Sequence, residues 1–362
     1  MRVAFVTDLH ISEDRLALHR ELLAKTAEAI RALEPDVVLI GGDLAGRTVP
    51  HLATPGERNA LVEFIGDLGR SPTIVCRGNH DSPGDWLFLD ALPGVYYAER
   101  PTLVTCVTGP AGKCSEVAVL PWHETWDEAY LAEADEAFGD PLHPRVCLTH
   151  ATFEGARLRL GQPEVPTRDV SIRAEDLCER FRFEFIFSGH YHAAQAIGSG
   201  HGIYGGSLFY NEFGEAGPKG FCFVEFNEDG PNFAGVHHPI EQPKRYRAAR
   251  VATGGYEVTP GGERTYTIAE LARLDGPVKV VESCPKEKLA ARRALLAGAR
   301  LPEGSRIHLT PSGAVRAREG AESVLAAPDF STKFRRWAER SDAAPETVAR
   351  AGDLLPAITH ES

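Results

Sequence analysis

Five short polar clusters carry the residue types that metal chemistry needs. They are TDLH at Thr7–His10, GGD at Gly41–Asp43, GNHD at Gly78–Asp81, LTH at Leu148–His150 and SGHYH at Ser188–His192. Each closes an apolar run, and most sit beside glycine. Asp, His and Asn do not belong at the end of a buried strand unless something pairs with them. Carboxylate, imidazole and amide oxygen together suit divalent ions such as Mn²⁺, Fe²⁺ or Zn²⁺. Two such ions about 3.5–4 Å apart can clamp a phosphate and generate a hydroxide nucleophile. On this reading Asp43, a single carboxylate in a glycine turn, bridges two ions; Asn79 is a ligand and His80 faces the substrate. Asp8 and His10 are two apart, as are His190 and His192, so on regular strands each pair points to one face. One such cluster is commonplace, but five in order, each at a strand end, are specific.

The elements that must carry these clusters alternate. RVAFVT, DVVLIGGD and TIVCRGNHD read as buried strands, separated by helices over Arg15–Leu33 and Glu57–Leu68. That is the βαβαβ pattern of parallel strands with crossover helices, and ligands gather at the carboxyl ends of such strands. TLVTCVTG, EVAVLPW, RVCLTH, FEFIFSGHYH and KGFCFVEF follow as strands, with a helix near Arg173–Phe181. The expectation is a mixed sheet or two packed sheets. After Phe226 the chain turns rich in Gly and Pro, then shows a helix–strand–helix–strand order from Tyr266 to about Gly313, a small α/β domain of its own.

Composition bounds the rest. The 362 residues are 43% hydrophobic and 25% charged, enough for a real core. No run of about 20 apolar residues exists, so no membrane span is expected. The start, MRVAFVTDLH, lacks a signal-peptide layout. Seven scattered cysteines without a CxxC pair argue against a disulfide framework or structural zinc, and point to a cytoplasmic protein. The net charge of −12 is uneven. Residues 1–240 hold 19 Lys+Arg against 35 Asp+Glu, while residues 241–362 hold 20 against 16. An acidic first region repels a polyanion unless bound cations invert the local field.

The order of motifs resembles the calcineurin-like metallophosphoesterases over residues 3–226. The resemblance implies a mixed-sheet, four-layer αββα domain over 1–235, a small α/β capping domain over 240–325 and a helical tail over 328–362. Carried over by residue, Asp8, His10, Asp43 and His192 would hold one ion, and Asp43, Asn79, His150 and His190 the other. His80 would contact the scissile phosphate and help protonate the leaving oxygen. Asp81 would either orient His80 or cap the following turn. The protein serine/threonine phosphatase branch typically carries GDxVDRG and GNHE, whereas this chain has GGDLAGRT and GNHD.

YGGSLFYNEFGEAGPKGFCFVEF, Tyr204–Phe226, is similar to the segment that follows the GHxH motif in SbcD, the Mre-type repair nuclease family. That similarity implies a 3′–5′ exonuclease and endonuclease acting on DNA. It also implies two divalent ions, Mn²⁺ foremost with Fe²⁺ or Zn²⁺ as alternatives, an SbcC-type coiled-coil ATPase partner and a homodimer. A metal-bridging hydroxide would attack phosphorus in line with the leaving sugar oxygen. Phe334 and Trp337 in the tail would dock on the ATPase or pack on the chain's own cap. Arg47, Arg157 and Arg159 are candidate substrate contacts. Trp122 and His123 line the cleft or simply pack. His51, His201, His237 and His238 lack a partner motif and read as surface or turn residues. Two other readings stand beside the nuclease: a stand-alone phosphodiesterase or nucleotidase for small phosphodiesters, and a weakly catalytic scaffold subunit.

Overall fold

Val3 and Phe5 turn to one side of the first strand, Ala4 and Val6 to the other, and all four are buried. A strand buried on both faces needs a layer on each side. The computed structural model shows those layers. It describes residues 1–46, 51–108, 113–157, 171–211, 215, 217–227, 230–232, 236–242, 247–252, 255–259 and 265–311. The described residues fall into two compact units, one within Met1–Arg247 and Thr259–Gly262 and the other within Ala248–Val258 and Glu263–Ser362.

The first unit begins with β1 (Arg2–Val6), α1 (Leu16–Ala32), β2 (Val37–Ile40), α2 (Pro55–Asp67), β3 (Thr73–Cys76) and β4 (Val95–Ala98). β5 (Thr102–Thr108), β6 (Lys113–Leu120), α3 (Glu128–Phe138), β7 (Arg145–His150), β8 (Thr152–Phe153), β9 (Ser171–Ile172), α4 (Ala174–Phe181) and β10 (Phe185–Gly189) follow. It closes with β11 (Gln195–Ile197), β12 (Gly202–Tyr204), β13 (Gly220–Asn227), β14 (Gly230–Asn232) and β15 (His237–Pro239). β1 to β4 are parallel neighbours, as the βαβαβ reading expects. β13 joins β1 antiparallel, with Phe5 opposite Cys222, and carries β14 and β15. The second sheet has the order β11-β12-β10-β7-β6-β5. It is parallel from β6 through β7 and β10 to β12, and antiparallel at both edges.

Both sequence alternatives hold at once: two packed sheets, each mixed. Val3, Phe5, Leu39 and Ile74 of the first sheet share one buried cluster with Val117, Val119, Leu148 and Phe187 of the second. Ala4, Val6, Val38 and Ile40 pack under α1 and α2. Ala118, Leu120, Cys147 and Ile186 pack under α3 and α4. The result is the four-layer αββα fold. α1 buries Leu22, Leu23, Thr26, Ala27 and Ile30, one face at helical spacing. α2 starts on a capping box in which Thr54 and Glu57 satisfy each other's backbone N–H. α3 is not anticipated from the sequence; Asp127 caps it, and only Tyr130, Ala134 and Phe138 of its face are buried.

The second unit holds β16 (Arg247–Ala252), β17 (Gly255–Thr259), β18 (Thr265–Tyr266), α5 (Ile268–Leu271), β19 (Val278–Cys284), α6 (Leu289–Gly298) and β20 (Arg306–Pro311). Its sheet order is β18-β17-β16-β19-β20, around Ala249, Tyr256, Val258, Leu271, Val278, Val280 and Leu296. The expected helix–strand–helix–strand order is present, preceded by a β16–β18 stretch that the Gly/Pro-rich sequence hides. The tail over 328–362, with Phe334 and Trp337, lies outside the described residues. All seven cysteines are free, and no described helix is long and apolar enough to cross a membrane.

Two buried polar groups generate tests. Arg145 on β7 is almost fully buried and donates to Glu116 on β6 at 2.7 Å and to the carbonyls of Phe138, Gly139 and Phe181. It thereby ties the ends of α3 and α4 to the second sheet. Glu116→Ala leaves that guanidinium uncompensated and is expected to cost about 3–5 kcal/mol; a loss below about 1 kcal/mol in urea unfolding would refute the assignment. His19 on α1 stacks on Phe209 at 4.5 Å and accepts a hydrogen bond from the Ser12 backbone. Burial pulls its pKa down to about 3. The folded state keeps His19 neutral while the unfolded chain takes up a proton below about 6.5. Its contribution is therefore complete above that pH and is lost as pH falls toward 3. Between pH 7.5 and 5, His19→Gln should lose about 2 kcal/mol less stability than the parent; equal losses would remove the assignment.

Candidate metal centre

The structure brings all eight ligand and phosphate-facing candidates to one end of the two sheets. Asp8 and His10 follow β1, Asp43 follows β2, and Asn79 and His80 follow β3. His150 ends β7, and His190 and His192 follow β10. Strand alternation is not what orients them. β1 stops at Val6 and β10 at Gly189, and the left-handed region holds Asp8 (φ 52°), His10 (φ 41°), Asp43 (φ 53°) and His190 (φ 90°). Such backbone is uncommon outside glycine and gathers at functional sites, where the surroundings must enforce it.

Here the enforcing bonds are on view. Asp8 N–H donates to Gly42 O at 3.1 Å, His10 N–H to Asp43 O at 2.9 Å and Ile11 N–H to Leu44 O at 3.1 Å. Asp81 accepts from the backbone N–H groups of Asp43, Leu44 and Gly78 at 2.8–2.9 Å. Asp81 therefore locks the loop after β2 onto the loop after β3, the loop that carries His80. Burial, reinforced by the Asp43 charge, pushes its carboxyl up to about 7.

The rings are locked as well. His10 Nδ1 lies 2.6 Å from Gly46 O, His150 Nδ1 2.7 Å from Gly41 O and His192 Nδ1 2.9 Å from Glu215 Oε1. Each contact places a ring proton on Nδ1 and turns Nε2 inward, where it can hold a metal or a second proton. There the inward atoms crowd together. His10 Nε2 and His192 Nε2 are 3.1 Å apart, and His150 Nε2 is 3.0 Å from Asn79 Oδ1, which also lies 3.1 Å from His190 Nδ1. Asp43 Oδ2 sits 3.6 Å from His10 Nε2, 3.4 Å from His150 Nε2 and 3.9 Å from His80 Nε2. Asp8 Oδ1 is 3.9 Å from His192 Nε2. Asp8 with His10 and His192, His10 with Asp43 and His80, and Asp8 with Asp43 and His150 each offer donor atoms close enough to share one ion. Two carboxylates ringed by imidazole lone pairs require positive charge between them, so the donor set fits divalent metal.

The ionisation pattern agrees. Burial opposes the charge of Asp43, yet His150, His10 and His80 around it hold its carboxyl well below the usual range. Burial likewise disfavours a charged His150, but Asp43 overrides it and pushes the ring up to about 9. Burial wins at His10, whose pKa falls to about 4. The cluster attracts a cation, and protons and metal compete for it.

Of the proposed substrate arginines, Arg47 and Arg159 lie outside the described residues. Arg157 is exposed, and its backbone pairs with the Gln195 side-chain amide. Trp122 lies against the rim, its ring 5.1 Å from His190 and near parallel to it. Three residues without an assigned role turn out to support the cluster. His51 donates its backbone N–H to His80 O at 2.9 Å, and its ring meets Glu57 at 2.8 Å. Glu215 and Lys219 back His192. The last two sit inside the Tyr204–Phe226 segment, but nothing in their spacing announces a contact with His192.

A match to a known family agrees with this geometry. A family model described as calcineurin-like phosphoesterase matches residues 1–194. The chain is 20% identical over 287 residues to the D component of the SbcCD nuclease of Staphylococcus epidermidis, covering 71% of this chain and 73% of that protein. Among solved structures, TT1561 of Thermus thermophilus aligns with a TM-score of 0.38 at 14% identity, over 57% of this chain and 89% of its own. A 5′-nucleotidase-like protein of Staphylococcus aureus aligns with a TM-score of 0.38 at 17% identity, over 74% of this chain and 56% of its own.

Glycine permits the approach of these loops. A Cβ at Gly78 would run into the backbone nitrogen and carboxylate of Asp43. A Cβ at Gly189 would meet Gly41 O, Thr7 and the His150 ring. Gly78→Ala must therefore displace Asp43, the group on which the whole cluster converges. Its affinity for Mn²⁺ should fall at least about 10-fold, measured by calorimetric titration, while far-ultraviolet circular dichroism stays that of the parent. Unchanged Mn²⁺ affinity would show that Asp43 is not a ligand.

Proposed function

The chain belongs to the calcineurin-like phosphoesterase family, whose members are metal-dependent, and from that premise we propose that it cuts phosphodiesters in DNA as the nuclease subunit of an SbcCD-like repair complex. The observation that carries the metal chemistry is the set of imidazoles locked with Nε2 inward, His10 and His150 around Asp43 and His192 beside Asp8. The DNA assignment draws on the named nuclease component, which aligns over 71% of this chain. Asp8, His10, Asp43 and His192 would hold one ion, and Asp43, Asn79, His150 and His190 the other, with Mn²⁺ the proposed metal. When bound, two such ions supply charge neutralisation on the phosphoryl oxygens and a water of lowered pKa.

The chain's own residues do the rest. His80 donates its backbone N–H to Asp43 Oδ1 at 2.9 Å, and its ring packs edge-on to His10 at 4.9 Å. Its side chain remains 20% exposed. That combination lets it meet a phosphate oxygen and hand a proton to the departing sugar oxygen. Asp81 and His51 hold the loop that presents it. Bound cations would offset the acidic first region toward DNA. The second unit, in the stretch with excess Lys and Arg, would orient the duplex. An SbcC-type ATPase and a second copy of the chain are the proposed partners.

The test is a cutting assay with Mn²⁺ on labelled single- and double-stranded DNA and on bis-p-nitrophenyl phosphate, for the parent and for His80→Ala. DNA degradation by the parent and a loss of about 10²–10⁴-fold in the variant are expected. Cleavage of the small diester alone, with or without added ATPase, would favour a free-standing phosphodiesterase. Turnover of neither would sink the proposal.

A further inference from the structure

Three imidazoles of the cluster turn Nδ1 away from it, and they are not backed alike. His10 and His150 rest on backbone carbonyls, whereas His192 rests on the Glu215 carboxylate. Glu215 is buried, and its second oxygen accepts from Lys219 Nζ at 2.8 Å and from Asn211 N–H at 3.2 Å. Lys219 is buried too, only 3% exposed. Its ammonium has three hydrogens to place, and three acceptors meet it: Glu215, His192 O at 2.8 Å and Ser207 Oγ at 2.7 Å. His192 is thus gripped twice, by its ring through Glu215 and by its backbone carbonyl through Lys219.

Buried Lys–Glu pairs are poor sources of stability, since an apolar pair of similar volume often does as well. This one sits where an apolar pair could not do its work: neither member could then accept a ring proton or hold a carbonyl. We propose that Glu215 and Lys219 act as positioning residues for His192, fixing its tautomer and direction and so setting the affinity of one metal position without altering the other. Glu215 supplies the anionic backing that sharpens the donor strength of Nε2. Lys219 keeps that carboxylate charged and aimed. His150 and Asn79, which do not touch the pair, retain their own supports. The inference rests on the reading of His192 as a metal ligand.

The experiment is a Mn²⁺ titration of the full chain by calorimetry, with electron paramagnetic resonance at one and two equivalents. It compares the parent with Glu215→Gln, Glu215→Ala, Lys219→Met, His192→Ala and Asn79→Ala. Glu215→Gln keeps size and an acceptor oxygen, so it guards against misfolding of the alanine variant; thermal melting of the metal-free proteins checks both. The expected result is two ions in the parent and an affinity loss of about 10–100-fold for one ion in Glu215→Ala and Lys219→Met. The loss should be smaller in Glu215→Gln. The spectrum at one equivalent should then match His192→Ala and not Asn79→Ala. Two ions held with parental affinity in every Glu215 and Lys219 variant would overturn the clamp and leave the metal centre standing. A parent that binds no Mn²⁺ would overturn the metal reading itself, and the clamp with it.

Discussion

A buried carboxylate that must stay charged is the constraint on which the rest of the site depends. Asp43 lies almost wholly out of water, with His10, His80 and His150 within 4 Å of one of its oxygens. Burial works against its ionisation, and only neighbouring positive charge makes it tolerable. The structure answers by surrounding it with nitrogen donors, and by giving its other oxygen the His80 N–H. Asp81, a second buried carboxyl one loop away, is handled in the opposite manner. It is occupied by three backbone N–H groups, which makes it a strut. Two like side chains on adjoining loops thus divide the labour of attracting charge and holding geometry.

That division explains why backbone is strained where it is. A regular strand would send Asp8 outward on alternate residues; a left-handed step turns it back over the sheet end, where it accepts the His190 N–H at 3.1 Å. The strain is spread over four residues whose N–H and C=O groups are mostly tied to neighbouring loops. Preorganisation of this kind, with donors fixed before a ligand arrives, suits a site that must bind charge in a fixed pattern.

The sequence shows some of this and conceals the rest, for physical reasons. Apolar runs that end in Asp or His mark the strands and their ligand ends, because both features are local. The two-sheet layering is written in the strands buried on both faces, such as VAFV and FIFS. α3 is hidden because its sequence is acidic and alanine-rich and buries only three side chains. β11 and β12 are hidden because they are three residues each. The expectation that DxH and HxH pairs share a strand face fails because the regular strands end before the chemistry begins. Glu215, Lys219 and His51 act through contacts made across the fold, which no spacing rule encodes.

The eight residues of the cluster come from both sheets: Asp8, His10, Asp43, Asn79 and His80 from the first, His150, His190 and His192 from the second. What separates those two groups is the hydrocarbon between the sheets, where Phe5 meets Phe187 edge to face at 5.3 Å. Those rings help set the spacing of the two sheets that carry the cluster. Adding or removing a methylene group there would be felt at the sheet ends that carry the cluster, since close-packed interiors transmit such changes. The geometry of the charged cluster therefore depends in part on aromatic and aliphatic bulk far from any charged atom.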